Sequence, residues 1–194
     1  SVSVFCLNYT DRYLPAFDFT VPASWFQSLN PIFVVLMAPV LAIVWQKLGQ
    51  KGKDLSVTVK FSLGLLIMGI AFLVLAIGSM GIAPGQATAS VSIAYAIGFY
   101  FYQVLGEAVF YPIGLSAVNK LSPPKLFSFM FGVWFVANAI GNYLSGALAG
   151  FIEDISSHYS LSAFFMVSVV VVVAAGLVLL LLNKKITHMM HGVR

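Results

Sequence analysis

Residues 91–118 read VSIAYAIGFYFYQVLGEAVFYPIGLSAV. The run exceeds the roughly 20 residues that a helix needs to cross a hydrocarbon core, and its one formally charged residue is Glu107. An α-helix satisfies its backbone polar groups internally, so in lipid it is the one open-chain solution. This stretch is therefore expected to span a membrane, with a carboxyl group near its middle.

Four more apolar runs flank it, and the expected spans are 25–47, 61–80, 91–118, 126–151 and 161–182. Over the 194 residues, 60% are hydrophobic, 14% aromatic and only 8% charged, with a mean hydropathy of +0.98. A soluble domain of that length cannot bury so much apolar surface, and a disordered chain or a nucleic-acid-binding module would carry far more charge. The expected fold class is all-α, a polytopic membrane protein with the lipid bilayer as a partner and no nucleic acid.

The connections alternate in charge. Lys47, Lys51, Lys53 and Lys60 flank the first, Lys120 and Lys125 the third, and Lys184, Lys185 and Arg194 follow the last span. The connection at 81–90 has no charge, and that at 151–160 has only Glu153 and Asp154. Basic loops stay cytoplasmic, so nine of the ten basic residues fall on one side, with Arg12 alone opposite, and the C-terminus is expected in the cytoplasm. Residues 9–21 then lie outside, which requires an earlier crossing. Residues 1–7 are apolar but too short to span, and they read as its remnant. With no initiator methionine before Ser1, the chain is expected to be a fragment of a larger unit.

A charge at the depth of Glu107 costs about 2.5–3.5 kcal/mol on insertion scales, so it needs a partner, a wet cavity or a proton. It is the first functional candidate; the alternative is a protonated carboxyl that glues helices together. Gln103, Glu107 and Tyr111 are four residues apart and share a helical face, with Tyr100 a turn back. Pro112 has no N–H to donate and so frees the carbonyl of Ala108, a feature either of a binding-site kink or of simple packing. On the next span Trp134, Asn138, Asn142 and Ser145 form a polar seam, the first two read as cavity lining and the last two as interhelical packing. That span also carries Gly146 and Gly150 in a G-x-x-x-G, with Gly141 nearby, a signature of close helix approach. In the first span Gln27 and Asn30 precede Pro31, with Pro39 two turns on; the amides either meet a ligand or cap the kink.

Metal and enzyme chemistry have no visible equipment. Cys6 is the only cysteine and can form neither an internal disulfide nor a zinc site. Of the histidines, His188 and His191 are three apart but sit in a basic tail with the look of a solvated segment, and His158 stands alone. No H-E-x-x-H, G-x-S-x-G or P-loop is present, so no metal, no cofactor and no enzymatic activity are expected.

Several spaced motifs agree on one family. Ser24-Trp25-Phe26-Gln27-Ser28-Leu29-Asn30-Pro31 is followed by Leu48-Gly49-Gln50-Lys51-Gly52-Lys53-Asp54-Leu55-Ser56 and Lys60-Phe61-Ser62-Leu63-Gly64. Then come Gly106-Glu107, Pro112-Ile113-Gly114-Leu115-Ser116, Lys120-Leu121-Ser122-Pro123 and Gly132-Val133-Trp134-Phe135. In this order they resemble the C-terminal half of the proton-dependent oligopeptide transporter (POT) family of the major facilitator superfamily.

The resemblance implies a C-terminal six-helix bundle, holding the end of helix seven and helices eight to twelve of a twelve-helix inner-membrane transporter. Such transporters carry di- and tripeptides between two bundles by alternating access, driven by protons. The N-terminal half, with the family's E-x-x-E-R-F signature, would be the partner of this one. By position, Asn30 and Glu107 match the asparagine and glutamate that hold the peptide's amine, and Glu107 is the proton-coupling candidate, pairing with a lysine of the other half when the site is empty. Trp134 matches the tryptophan that walls a side-chain pocket. Tyr111 and Asn138 stand where family members often have serine, so side-chain preference does not carry over. A related transporter for another small solute and a non-transporting membrane scaffold are the competing readings.

Overall fold

The apolar runs are helices in the computed structural model, which describes residues 2–15, 18–51, 55–83, 86, 88–150 and 159–190. Ser1, Lys53, Asp54, Glu153, Asp154, His158, His191 and Arg194 lie outside the described residues, as does the Phe151 end of the fourth expected span. The described helices are α1 (Val2–Asn8), α2 (Trp25–Gln50), α3 (Val57–Gly78), α4 (Ile93–Leu121), α5 (Phe127–Gly150) and α6 (Leu161–Met189). A 3-10 turn, Pro124–Leu126, precedes α5. Five of these helices are long and apolar enough to cross a membrane, and the protein is an all-α polytopic membrane protein.

Helix ends differ from the hydropathy boundaries because caps, not polarity, set them. α3 begins at Val57 instead of 61, since the Ser56 side chain accepts the Val59 N–H at 3.3 Å. Lys60 therefore lies in its first turn, with Nζ 5.2 Å from the ring centroid of Trp45 on α2. Ser79 ends α3 by donating Oγ and N to the Leu75 carbonyl at 2.6 and 2.9 Å. Past Leu182, α6 continues to Met189. A hydropathy boundary marks the limit of the bilayer core, whereas Asn183, Lys184 and Lys185 break no backbone hydrogen bond.

α3 is the centre of the bundle, packed between α4 and α6. A Cβ on Gly64 would sit 3.1 Å from the Gly106 carbonyl, and one on Gly106 would sit 2.8 Å from the Gly64 carbonyl. Only glycine at both positions lets the backbones come this close. On the opposite side Ser62 Oγ donates to the Gly176 carbonyl at 2.5 Å and Ser162 Oγ to that of Ala76 at 2.9 Å. The fully buried Phe5, Cys6, Leu75, Ala96 and Phe165 bring α1 into the same core, where Phe5 meets Phe165 edge-on at 5.8 Å.

Four two-residue strands, which hydropathy does not announce, tie the loops together. β1 (Thr10–Asp11) pairs in parallel with β4 (Val91–Ser92), joining the end of α1 to the start of α4. β2 (Tyr13–Leu14) and β3 (Phe19–Thr20) form a small antiparallel pair. Arg12 donates to the carbonyls of Val21 at 3.1 Å and Leu7 at 3.4 Å, pinning this turn to α1.

The glycines of α5 have no helix packed on them among the described residues. Cβ atoms built at Gly141, Gly146 and Gly150 would meet nothing within 4 Å. A G-x-x-x-G permits close approach but needs a partner helix, and the described residues supply none there. The tight approaches instead use Gly64, Gly106 and Gly114, which carry no such motif.

Candidate functional site

α2 and α4 run parallel, with Trp25 and Leu29 beside Ile93 and Ile97 at their starts and Leu41 and Trp45 beside Tyr111 and Pro112 further along. This contact brings a polar residue of the first turns of α2 to the middle of α4. There Asn30 Nδ2 donates to Glu107 Oε2 at 3.2 Å. Gln103, one turn before Glu107 on the same helix, donates Nε2 to Oε1 at 2.9 Å. A carboxylate only accepts, so the Asn30 amide must turn its nitrogen inward, leaving Oδ1 as an available acceptor. Hydrogen bonds to a charged group contribute about 1.5–3 kcal/mol each, comparable to the insertion cost of the charge. Two amide donors therefore offset part of the cost of a carboxylate at this depth.

Glu107 borders two cavities. One, of about 330 Å³, lies between α2 and α4 and is lined by Trp45, Glu107, Ala108, Tyr111 and Pro112 among others. Pro112 leaves the Ala108 carbonyl without its helical donor, so the freed acceptor belongs to a residue of the cavity wall. The other, also about 330 Å³, is lined by Met68, Tyr100, Gln103, Glu107 and Ser145. Tyr100, Gln103 and Glu107 thus share a face, as their spacing predicts.

A second polar chain crosses from α4 to α5. Tyr111 donates its hydroxyl to Asn138 Oδ1 at 3.1 Å, and Asn138 Nδ2 donates to the Trp134 carbonyl at 2.9 Å. The Trp134 indole lies on α4, where a Cβ at Gly114 would overlap its ring, and stacks on Phe110 with centroids 6.3 Å apart. Its Nε1 is buried and meets no acceptor among the described residues. An unsatisfied buried donor is unfavourable by about 1–3 kcal/mol, and this one lies beside the Tyr111–Asn138 pair.

The other polar candidates part ways. Ser145, read from sequence as a packing residue, is among the residues lining the cavity of Gln103 and Glu107. Asn142 is exposed and meets no partner among the described residues. Gln27 donates to Ser3 Oγ at 3.3 Å, linking α2 to α1 away from Glu107. Sequence reasoning passed over Phe110 and Gly114; a glycine inside an apolar helix is the signal that marks Gly114 as a bed for a large ring.

The POT family profile matches residues 8–183. A dipeptide and tripeptide permease B of Salmonella typhimurium is 37% identical over 151 residues, covering 78% of this chain and 30% of that protein. An uncharacterized transporter of Bacillus subtilis, YclF, is 35% identical over 152 residues, with the same two coverages of 78% and 30%. Among solved structures, a POT family transporter in complex with a thioalcohol-conjugated peptide superposes with a TM-score of 0.81 at 30% identity, over 96% of this chain and 37% of that one. The chain spans about a third of the length of these relatives. With nearly all of its described helices inside the matched region, the chain belongs to the POT family of multi-pass membrane transporters.

Proposed function

We propose that the chain is the C-terminal half of a proton-coupled symporter of di- and tripeptides, working by alternating access against an N-terminal six-helix half. The observation that carries this reading is the hydrogen bond between Asn30 and Glu107 at the wall of a cavity in mid-membrane. A peptide presents an ammonium group that must leave water to enter such a cavity. It needs an ionised carboxylate and a neutral acceptor, which Glu107 and the free Oδ1 of Asn30 provide.

In this reading the amine of the peptide enters between Asn30 and Glu107, displacing the amide donor from the carboxylate. Trp134, Tyr111 and Asn138 border the position of a side chain. Protonation of Glu107 removes the charge that holds the amine, or a lysine of the other half, and so biases the equilibrium between the outward-open and inward-open states. The cation-rich ends of the spans favour a C-terminus in the cytoplasm, and residence in the inner membrane is part of the same proposal. Peptide transport is supported by the named permease relative.

The test is uptake competition in cells expressing the full-length protein. Excess di- and tripeptides are expected to suppress uptake of a labelled dipeptide, while free amino acids and nitrate leave it unchanged. Suppression by a free amino acid, with none by peptides, would reassign the cavity to another small solute.

A further inference from the structure

At the end of the bundle where the apolar run of α6 gives way to Asn183, Lys184 and Lys185, a polar cleft of about 530 Å³ opens between α3 and α6. Ser56, Val59, Asn183, Lys184, Thr187 and His188 line it. Two hydroxyls converge on one amide oxygen: Ser56 Oγ donates to Asn183 Oδ1 at 2.6 Å and Thr187 Oγ1 donates to it at 3.2 Å. The Asn183 amide is thereby fixed with its oxygen consumed, and its NH₂ meets no acceptor among the described residues. α3 starts at the same cleft with the positive end of its dipole, and α6 ends one residue past His188 with the negative end of its own, so the two helix termini offset and the lysine sets the sign. The free side-chain donors of the cleft are thus the Asn183 NH₂ and the Lys184 ammonium. Lys51, Lys53, Lys60 and Lys185 lie close by in the chain, against one acid, Asp54, which is outside the described residues.

The face of α6 below the cleft decides which anion fits. Leu177, Leu181, Lys184 and His188 are spaced four, three and four residues apart, so they share one helical face. Leu177 and Leu181 are 49% and 83% exposed. One surface therefore runs from bare leucine, suited to an acyl chain, to a lysine and a histidine beside a cleft of donors. We propose that this surface seats an anionic phospholipid, with its phosphodiester in the cleft against Lys184, His188 and Asn183 and its acyl chains along Leu181 and Leu177. Basic pockets between helices at the membrane surface bind such headgroups. The leucine track distinguishes a lipid from a free phosphate, which would have no use for it. This site is separate from Glu107 and does not depend on what the transporter carries.

The experiment is native mass spectrometry of the full-length protein released from detergent with phosphatidylglycerol or with phosphatidylcholine of the same acyl chains. Wild type is expected to retain phosphatidylglycerol about fivefold better than phosphatidylcholine. Lys184→Gln with His188→Gln should abolish that preference, and Lys125→Gln, at a residue that does not line the cleft, should keep it. If the double variant fails to fold, each single variant is used, and each is expected to lose part of the preference. Equal retention of the two lipids by wild type, or an undiminished preference in the variants, would overturn the proposal. Displacement of phosphatidylglycerol by millimolar inorganic phosphate alone would likewise overturn it, assigning the cleft to a free anion.

Discussion

Asn30 and Glu107, 77 residues apart in the chain, meet at 3.2 Å across the α2–α4 contact. Each is an awkward residue for a membrane helix by itself. Together with Gln103 they form a unit in which a carboxylate has both oxygens engaged while an amide oxygen stays free. Five consequences of this unit and of the packing around it can be measured in the full-length protein.

Asn30→Ala removes one donor from Glu107 and the free acceptor at once. A hydrogen bond to a charged partner contributes about 1.5–3 kcal/mol, and each 1.4 kcal/mol is roughly tenfold in affinity. The apparent affinity for a dipeptide in an uptake assay is expected to fall by about tenfold or more, with membrane expression unchanged. An unaltered affinity would remove Asn30 from the site.

Tyr111→Phe deletes the hydroxyl that holds Asn138 and keeps the ring. A neutral hydrogen bond contributes about 0.5–1.5 kcal/mol net, so the effect should be severalfold. It is expected in the ratio of uptake rates between dipeptides with small and bulky side chains, while the requirement for a free amine persists. A uniform loss for all dipeptides would place Tyr111 with the amine-holding groups.

Trp134→Phe keeps an aromatic ring against Gly114 and Phe110 and deletes the orphaned N–H. Because an unsatisfied buried donor is unfavourable by about 1–3 kcal/mol, the melting temperature in detergent should stay level or rise. A drop of several degrees would mean that the indole nitrogen has an acceptor in the intact protein.

Gly106→Leu forces α3 and α4 apart where the two glycine backbones touch. Overpacking costs on the order of 1–3 kcal/mol, and a lower melting temperature with reduced yield is expected. Gly49→Ala, where a Cβ would meet nothing within 4 Å, should leave both unchanged. Equal tolerance of the two substitutions would refute the close α3–α4 contact.

Much of this architecture was legible in the chain because the bilayer imposes a length and a polarity on every span. Residues 91–118 announce a spanning helix with one conspicuous carboxyl, and the four-residue spacing of Gln103 and Glu107 places their bond. Capping chemistry, which hydropathy does not report, moved the start of α3 to Val57 and let α6 run to Met189. Pairings between helices were harder. Asn30 reached Glu107 only through the family resemblance, since nothing local in Gln27 to Pro31 says which neighbour it faces. The G-x-x-x-G of α5 suggested a close approach, yet Gly64 and Gly106 make it, because a glycine matters only where another backbone arrives. The role of Ser145, which lines the cavity beside Gln103 and Glu107, depends in the same way on how α5 faces its neighbours.

Proton-driven accumulation tests the central claim most directly. Full-length protein with Glu107→Gln, reconstituted in liposomes under an imposed inward proton gradient, is compared with wild type for uphill uptake of a labelled dipeptide. The account predicts that the variant reaches the membrane in normal amount and does not concentrate the dipeptide above the external level. Accumulation equal to wild type would contradict it.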